Sequence, residues 1–186
     1  MSSSTLHLTL AEYDRLAQTG AFDHLHRKVE LFRGELIEMN PAGPLHDDLI
    51  TYLNTWSAVN IDHAVTMLTS QTGLDLPDQI SRTEPDLMWL RKARYRSSHP
   101  QAADVQLAIE VSYSSLAYDL DQKRKLYAEA GMTEYWIVDV GANCIHVMTQ
   151  PRDGDYALRR VFKSPETLSP QIRPDARLDL FDLFEG

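Results

Sequence analysis

Residues Gln106 to Ser112 read QLAIEVS, a short apolar run with one carboxylate, Glu110, at its heart. Leu107, Ala108, Ile109 and Val111 leave no polar alternation, which is how a strand covered on both faces is written. A second run of this kind, EYWIVDV at 134–140, follows a stretch of helical spacing over roughly 117–130 that stops at Gly131. Continuous apolar strands alternating with helical segments predict a mixed sheet covered by helices.

The segments upstream extend that reading. Residues 9–19 follow a threonine cap with Leu10, Tyr13, Leu16 and Ala17 at helical spacing. KVELFRGELIEM places two apolar runs on either side of Arg33-Gly34, a hairpin signal. Pro41, Gly43 and Pro44 break the chain, and Leu49, Ile50, Leu53, Trp56 and Val59 then mark an amphipathic helix over 46–60, with His46 in its first turn. Strands are expected at 64–69 and 72–76, followed by a loop through Pro77, Asp78 and Ser81. EPDLMWL at 84–90 reads as a strand opened by a proline.

Downstream, two weaker strands are expected at about 144–149 and 156–162, before the tail ARLDLFDLFEG. With no internal repeat, low-complexity block or linker, residues 1–186 read as one α/β (α+β) domain, a mixed sheet flanked by helices with an N-terminal hairpin.

Composition sets outer limits. Apolar residues at 43% and charged residues at 24% are the usage of a globular chain. No apolar run is long enough to cross a bilayer, and MSSSTLHLTL lacks the basic start of a secretory signal, so the expectation is a cytoplasmic protein with no membrane partner. Cys144 is the only cysteine, which excludes an intramolecular disulfide and a zinc site built on cysteines, and leaves it a packing role. A net charge of −9 argues against a sequence-blind coat for DNA. An enzyme that gathers Asp and Glu around a metal ion is compatible with it. The basic patches RKARYR (Arg91 to Arg96) and Arg152, Arg159, Arg160, Lys163 read as solvated loop charges.

The candidate chemistry begins with two carboxylates. Asp86 follows Pro85 at the start of one apolar strand, and Glu110 lies within another, 24 positions later. A buried carboxylate needs an ion pair, a raised pKa or a cation, and two that converge favour the cation. Oxygen ligands suit magnesium or manganese, ions that activate water and offset charge on a phosphate. A nearby cation would come from Lys123 or Lys125; Lys123 shares a helical face with Asp119 and Tyr127, whereas Lys125 points about 200° away. Ser112, Ser114 and Ser115 read as turn and cap residues, and Trp89, Tyr127, Tyr135 and Trp136 as packing.

Pro85-Asp86 followed by Glu110-x-Ser112 resembles the PD-(D/E)XK nuclease superfamily, with Ser112 standing where its strand lysine belongs. The runs VELFRGELIEMNPAGPLH, EPDLMWL and AIEVSYSSLAYDLDQKRKLYAEAGMTEYWIVD are similar to the Uma-two-like restriction endonuclease family, and the likeness covers nearly the whole chain. It departs from the family's common forms at Tyr113 and Thr133.

The resemblance implies a restriction-endonuclease-like core and a magnesium-dependent endonuclease (manganese serving as well) acting on DNA to leave 5′-phosphates. It implies Asp86 and Glu110 as metal ligands with Glu30 completing the set, and a catalytic lysine moved onto the following helix at Lys123. It also implies that His46 touches a phosphate or a metal-bound water, the alternative being a helix cap. The rival expectation is a nuclease-fold module without turnover that binds nucleic acid or a protein partner. The apolar tail LDLFDLF adds the expectation of a homodimer.

Overall fold

Thr9 starts the first helix with a capping box: its hydroxyl accepts the Glu12 amide, and the Glu12 carboxylate accepts the Thr9 amide. In the computed structural model, which describes residues 5–25, 27–39 and 43–186, this helix is α1 (Leu10–Gln18). The hairpin follows as β1 (Val29–Phe32) and β2 (Glu35–Glu38). Arg33 and Gly34 both take positive φ, 50° and 83°, the turn whose twist matches that of its flanking strands. The break read at Pro41 lies outside the described residues. Helix α2 (Pro44–Asn60) begins with proline at its first position.

Strands β3 (Thr66–Ser70), β4 (Leu74–Leu76), β5 (Ser81–Thr83) and β6 (Leu87–Arg91) come next. Ser81, expected in a loop, instead opens β5, and Pro85 and Asp86 precede the strand they were expected to begin. The opening stretch lies in β7 (Val105–Ser112). The helix after it is composite: α3 (Leu116–Tyr118), a π turn at Asp119–Lys123, and α4 (Arg124–Glu129). Strands β8 (Glu134–Asp139), β9 (Cys144–Arg152) and β10 (Asp155–Lys163) follow, then the short pair β11 (Thr167–Leu168) and β12 (Leu178–Asp179), and helix α5 (Leu180–Glu185).

Six strands form the main sheet in the order β10-β9-β8-β7-β6-β3, with β7 and β8 parallel and every other pair antiparallel. A parallel pair needs a crossover, and the α3–π–α4 helix supplies it. A smaller antiparallel sheet, β2-β1-β5-β4, extends the hairpin.

Alternation along β7 divides the two faces of the main sheet. Leu107, Ile109 and Val111 pack with Leu49 and Leu53 of α2, with Trp89 and Trp136, and with Leu180 and Leu183 of α5. Ala108 faces the other way, in a cluster with Leu126 and Tyr127 of α4 and with Phe32, Leu74 and Leu76 of the small sheet. Glu110, two positions on from Ala108, therefore points to the side where the crossover helix and the hairpin meet.

Leu178, Leu180 and Leu183 of the apolar tail are buried in the chain's own core, while Phe181 between them stays exposed. The patch RKARYR starts at Arg91, four residues along β6 from Leu87, roughly 13 Å from the end of the strand where Asp86 lies. Among the described residues no helix is long and apolar enough to cross a membrane.

Candidate active site

The β6–β7 register pairs Leu87 with Ile109, and one further antiparallel step sets Asp86 against Glu110. The Val111 amide donates to Asp86 Oδ2 at 2.9 Å and fixes that carboxylate at the mouth of the strand pair. From the opposite side comes Lys123, whose Nζ donates to Glu110 Oε1 at 2.9 Å. Ser112, in the place of the missing strand lysine, is short enough to donate its Oγ to Asp119 Oδ2 at 2.7 Å. That bond ties the crossover helix to the end of β7. Lys123 lies four residues beyond Asp119, where the π turn ends, and its long stem covers the remaining distance.

Glu30 of β1 completes the surroundings of the lysine. Its Oε1 accepts the Glu84 amide at 3.0 Å, and both of its carboxylate oxygens lie 3.4 Å from Lys123 Nζ. Glu30 and Lys123 are each 1% exposed, so the pair is out of bulk water. His46, from the first turn of α2, sets Nε2 3.4 Å from Asp86 Oδ2 and Nδ1 3.4 Å from Asp47 Oδ1. The α2 cap position belongs to Gly43, so His46 does not cap its helix. The five residues Glu30, His46, Asp86, Glu110 and Lys123 line one cleft of about 460 Å³.

The protonation states follow from burial and charge. Burial pushes the Glu110 carboxyl up to about 8; Lys123 opposes the rise, and Asp86, Asp119 and Glu30 add to it. Burial works against the Lys123 ammonium, yet Glu110 and Glu30 outweigh it and hold its proton far more firmly than an ordinary lysine would. For Asp86, burial is again the largest influence and raises the carboxyl. The bonds from His46 and the Val111 amide, with the charges of His46 and Lys123, overcome it and leave Asp86 below the usual range. The Asp86 bond raises His46 above an ordinary histidine, against its burial. Tyr127 lies 3.2 Å from Glu110 Oε1 and 3.1 Å from Thr83 Oγ1; donating to the carboxylate leaves its oxygen free to accept from Thr83.

These donors suit a hard divalent ion. Asp86 commits Oδ2 to the Val111 amide and His46, and Glu110 commits Oε1 to Lys123 and Tyr127. Among the described residues Asp86 Oδ1 and Glu110 Oε2 accept no hydrogen bond, and both side chains line the cleft. Two oxygen donors beside several buried carboxylates form a site short of positive charge.

Glu30, expected as a third metal ligand, lies against Lys123, and its buried Oε2 has no hydrogen-bond partner among the described residues. Among the described residues, Asp86, Glu110 and Glu30 do not bring three ligand atoms within 4.8 Å of one another. Lys125, the other lysine considered, is exposed and pairs with Asp121 at 2.5 Å.

Two members of the site escaped the sequence reading. Lys28 lines the cleft and donates to the Glu84 carbonyl at 2.7 Å; its position two residues before Glu30, on the same face of the hairpin, was the available signal. Asp119 was placed on the lysine's face without the role that the Ser112 bond gives it. Neither basic patch reaches the cleft; Arg27, Lys28 and Lys123 supply its cationic side chains among the described residues.

The family described as "Uma2: Putative restriction endonuclease" matches residues 10–180. Among solved structures, the chain is similar to a "putative nuclease belonging to DUF820" from Anabaena variabilis, with a TM-score of 0.73 and 17% identity, over 95% of this chain and 97% of that one. At that identity the likeness speaks for the fold. No curated protein matches the chain.

Proposed function

The chain belongs to the Uma2 restriction-endonuclease family, and from that premise we propose that it is a metal-dependent endonuclease hydrolysing the phosphodiester backbone of DNA. The observation that carries this reading is the 2.9 Å contact between Lys123 and Glu110, made from a helix in place of a strand and beside Asp86. Asp86 and Glu110, each with an uncommitted oxygen, are the residues that would hold magnesium or manganese. That ion supplies Lewis acidity at the phosphate and a more acidic water.

The chain's own groups have separate tasks. Lys123 keeps its proton, so it acts as a fixed positive charge and hydrogen-bond donor toward the phosphate, offsetting charge that grows in the transition state. Glu30 is a positioning residue that holds the ammonium in place. His46, held by Asp86, and Lys28, which lines the cleft, would meet phosphate oxygens. Water attacks phosphorus in line, the bond to the 3′ oxygen breaks, and that oxygen leaves with a proton, so the phosphate remains on the 5′ side.

Purified protein tested with plasmid, linear and single-stranded DNA checks the proposal, alongside calorimetric titration with magnesium and manganese. The expected result is one bound-ion class that needs Asp86 and Glu110, and cleavage leaving 5′-phosphates. DNA intact in every form, with neither ion bound, would instead favour the binding module without turnover.

A further inference from the structure

The turn between β8 and β9 gathers the chain's only cysteine, a histidine and an aspartate. Asp139 and Cys144 oppose each other across the ladder; His146, two residues along β9, shares the face of Cys144. Cys144 Sγ lies 3.8 Å from His146 Nε2, and that same nitrogen lies 3.6 Å from Asp139 Oδ2. All three ligand atoms fall within 4.8 Å of one another, the one such group among the described residues.

Two features separate this group from ordinary polar packing. A nucleophile–base–orienter triad uses both imidazole nitrogens, one for each partner, whereas here thiol and carboxylate converge on Nε2 alone. The 3.6 Å gap to Asp139 is also too long for a direct N–H···O bond. It suits atoms sharing an ion: bonds of about 2.0–2.3 Å at open angles leave ligand atoms roughly 3.3–3.8 Å apart.

The surroundings are consistent with a built site. Asp139 Oδ1 accepts the Ala142 amide at 3.0 Å, which orients the carboxylate and leaves Oδ2 facing the histidine, as outer partners of metal ligands do. Cys144 and Asp139 are buried, and the His146 side chain keeps 20% of its surface exposed, so the group is shielded but reached from solvent on the histidine side. Lys163 is the register partner of Cys144 on the β10 side. None of the three ligands lines the cleft.

We propose that Asp139, Cys144 and His146 bind a borderline divalent transition ion of the zinc class, which clamps the β8–β9 hairpin at its turn. Thiolate with imidazole selects such an ion over magnesium, and the displaced thiol proton passes to solvent. A single cysteine rules out sites built on several cysteines; it does not rule out this mixed set, which the expectation from sequence overlooked. The assignment is independent of the nuclease reading.

The test is titration of the metal-free, full-length protein with cobalt(II). Because Cys144 is the only cysteine, a thiolate-to-cobalt charge-transfer band can report on this site alone. The expected result is a band saturating at one ion per chain and abolished by zinc. It vanishes in Cys144→Ser, while His146→Gln weakens binding by about 10–100-fold or more. Glu110→Gln leaves it unchanged, which keeps a failure in the cleft distinct from a failure here. No band in the unmodified protein at saturating cobalt, or a band indifferent to both His146→Gln and Asp139→Asn, overturns the proposal.

Discussion

Glu110 and Glu134 lie on neighbouring parallel strands, both are buried, and burial is the first cause that pushes both carboxyls up, to about 8 and about 7. Their surroundings differ. Glu134 accepts the Trp136 indole N–H on one oxygen and the Gln171 amide on the other, each at 2.8 Å, and no charged neighbour contributes to its shift. It is a latch between β8 and the segment before the C-terminal tail. Glu110 keeps an oxygen uncommitted, touches Lys123 and Tyr127, and feels three further carboxylates across a cleft. A buried carboxylate alone says little about function; coupling to other ionisable groups and an open lone pair are what set Glu110, proposed for the site, apart from Glu134.

The sharpest way to break this contrast is to remove the cation from one side of it. Lys123→Met leaves Glu110 and Glu30 buried without their partner, so urea unfolding at neutral pH should show a loss of about 3–5 kcal/mol, with cleavage lost as well. A variant as stable as the parent would show that the lysine is not the counter-charge of the cluster. Next in size is Glu110→Gln, which keeps the shape of the side chain and removes a proposed metal ligand. Cleavage should fall by about a hundredfold or more while the unfolding curve stays cooperative.

Glu134 supplies the pH prediction. Its folded carboxyl titrates near 7 against an unfolded value near 4.5, so the folded state holds the extra proton. Its contribution to stability is complete below about pH 4.5 and is lost as pH rises through about 7. Glu134→Gln should therefore flatten the stability profile across that window and leave cleavage unchanged; a profile identical to the parent's would refute the assignment. The smallest expected effect is at Lys125, exposed and paired only with Asp121: Lys125→Ala should cost about 0.3–0.5 kcal/mol and spare activity.

Much of this layout is legible in the sequence. The apolar runs of β7 and β8 marked the centre of the sheet, Arg33-Gly34 marked the hairpin, and Thr9 with Glu12 marked the first helix. Asp86, Glu110 and Lys123 could be grouped because helical spacing and the family resemblance pointed the same way. Strand β5 was missed because its three residues are polar; Arg82 is buried there only because Asp14 and Asp75 pair with it. The π turn has no periodic signature that short. Sequence put Glu30 near the site but did not show that it lies against Lys123. Asp139, Cys144 and His146 meet only through the β8–β9 register, which spacing along the chain does not provide.

The most direct test places the two carboxylates side by side: nicking of supercoiled plasmid in magnesium by the parent, Glu110→Gln and Glu134→Gln proteins, prepared identically. The account predicts cleavage by the parent and by Glu134→Gln, with Glu110→Gln inactive though folded. Equal cleavage by all three, or its loss in Glu134→Gln and retention in Glu110→Gln, would contradict it.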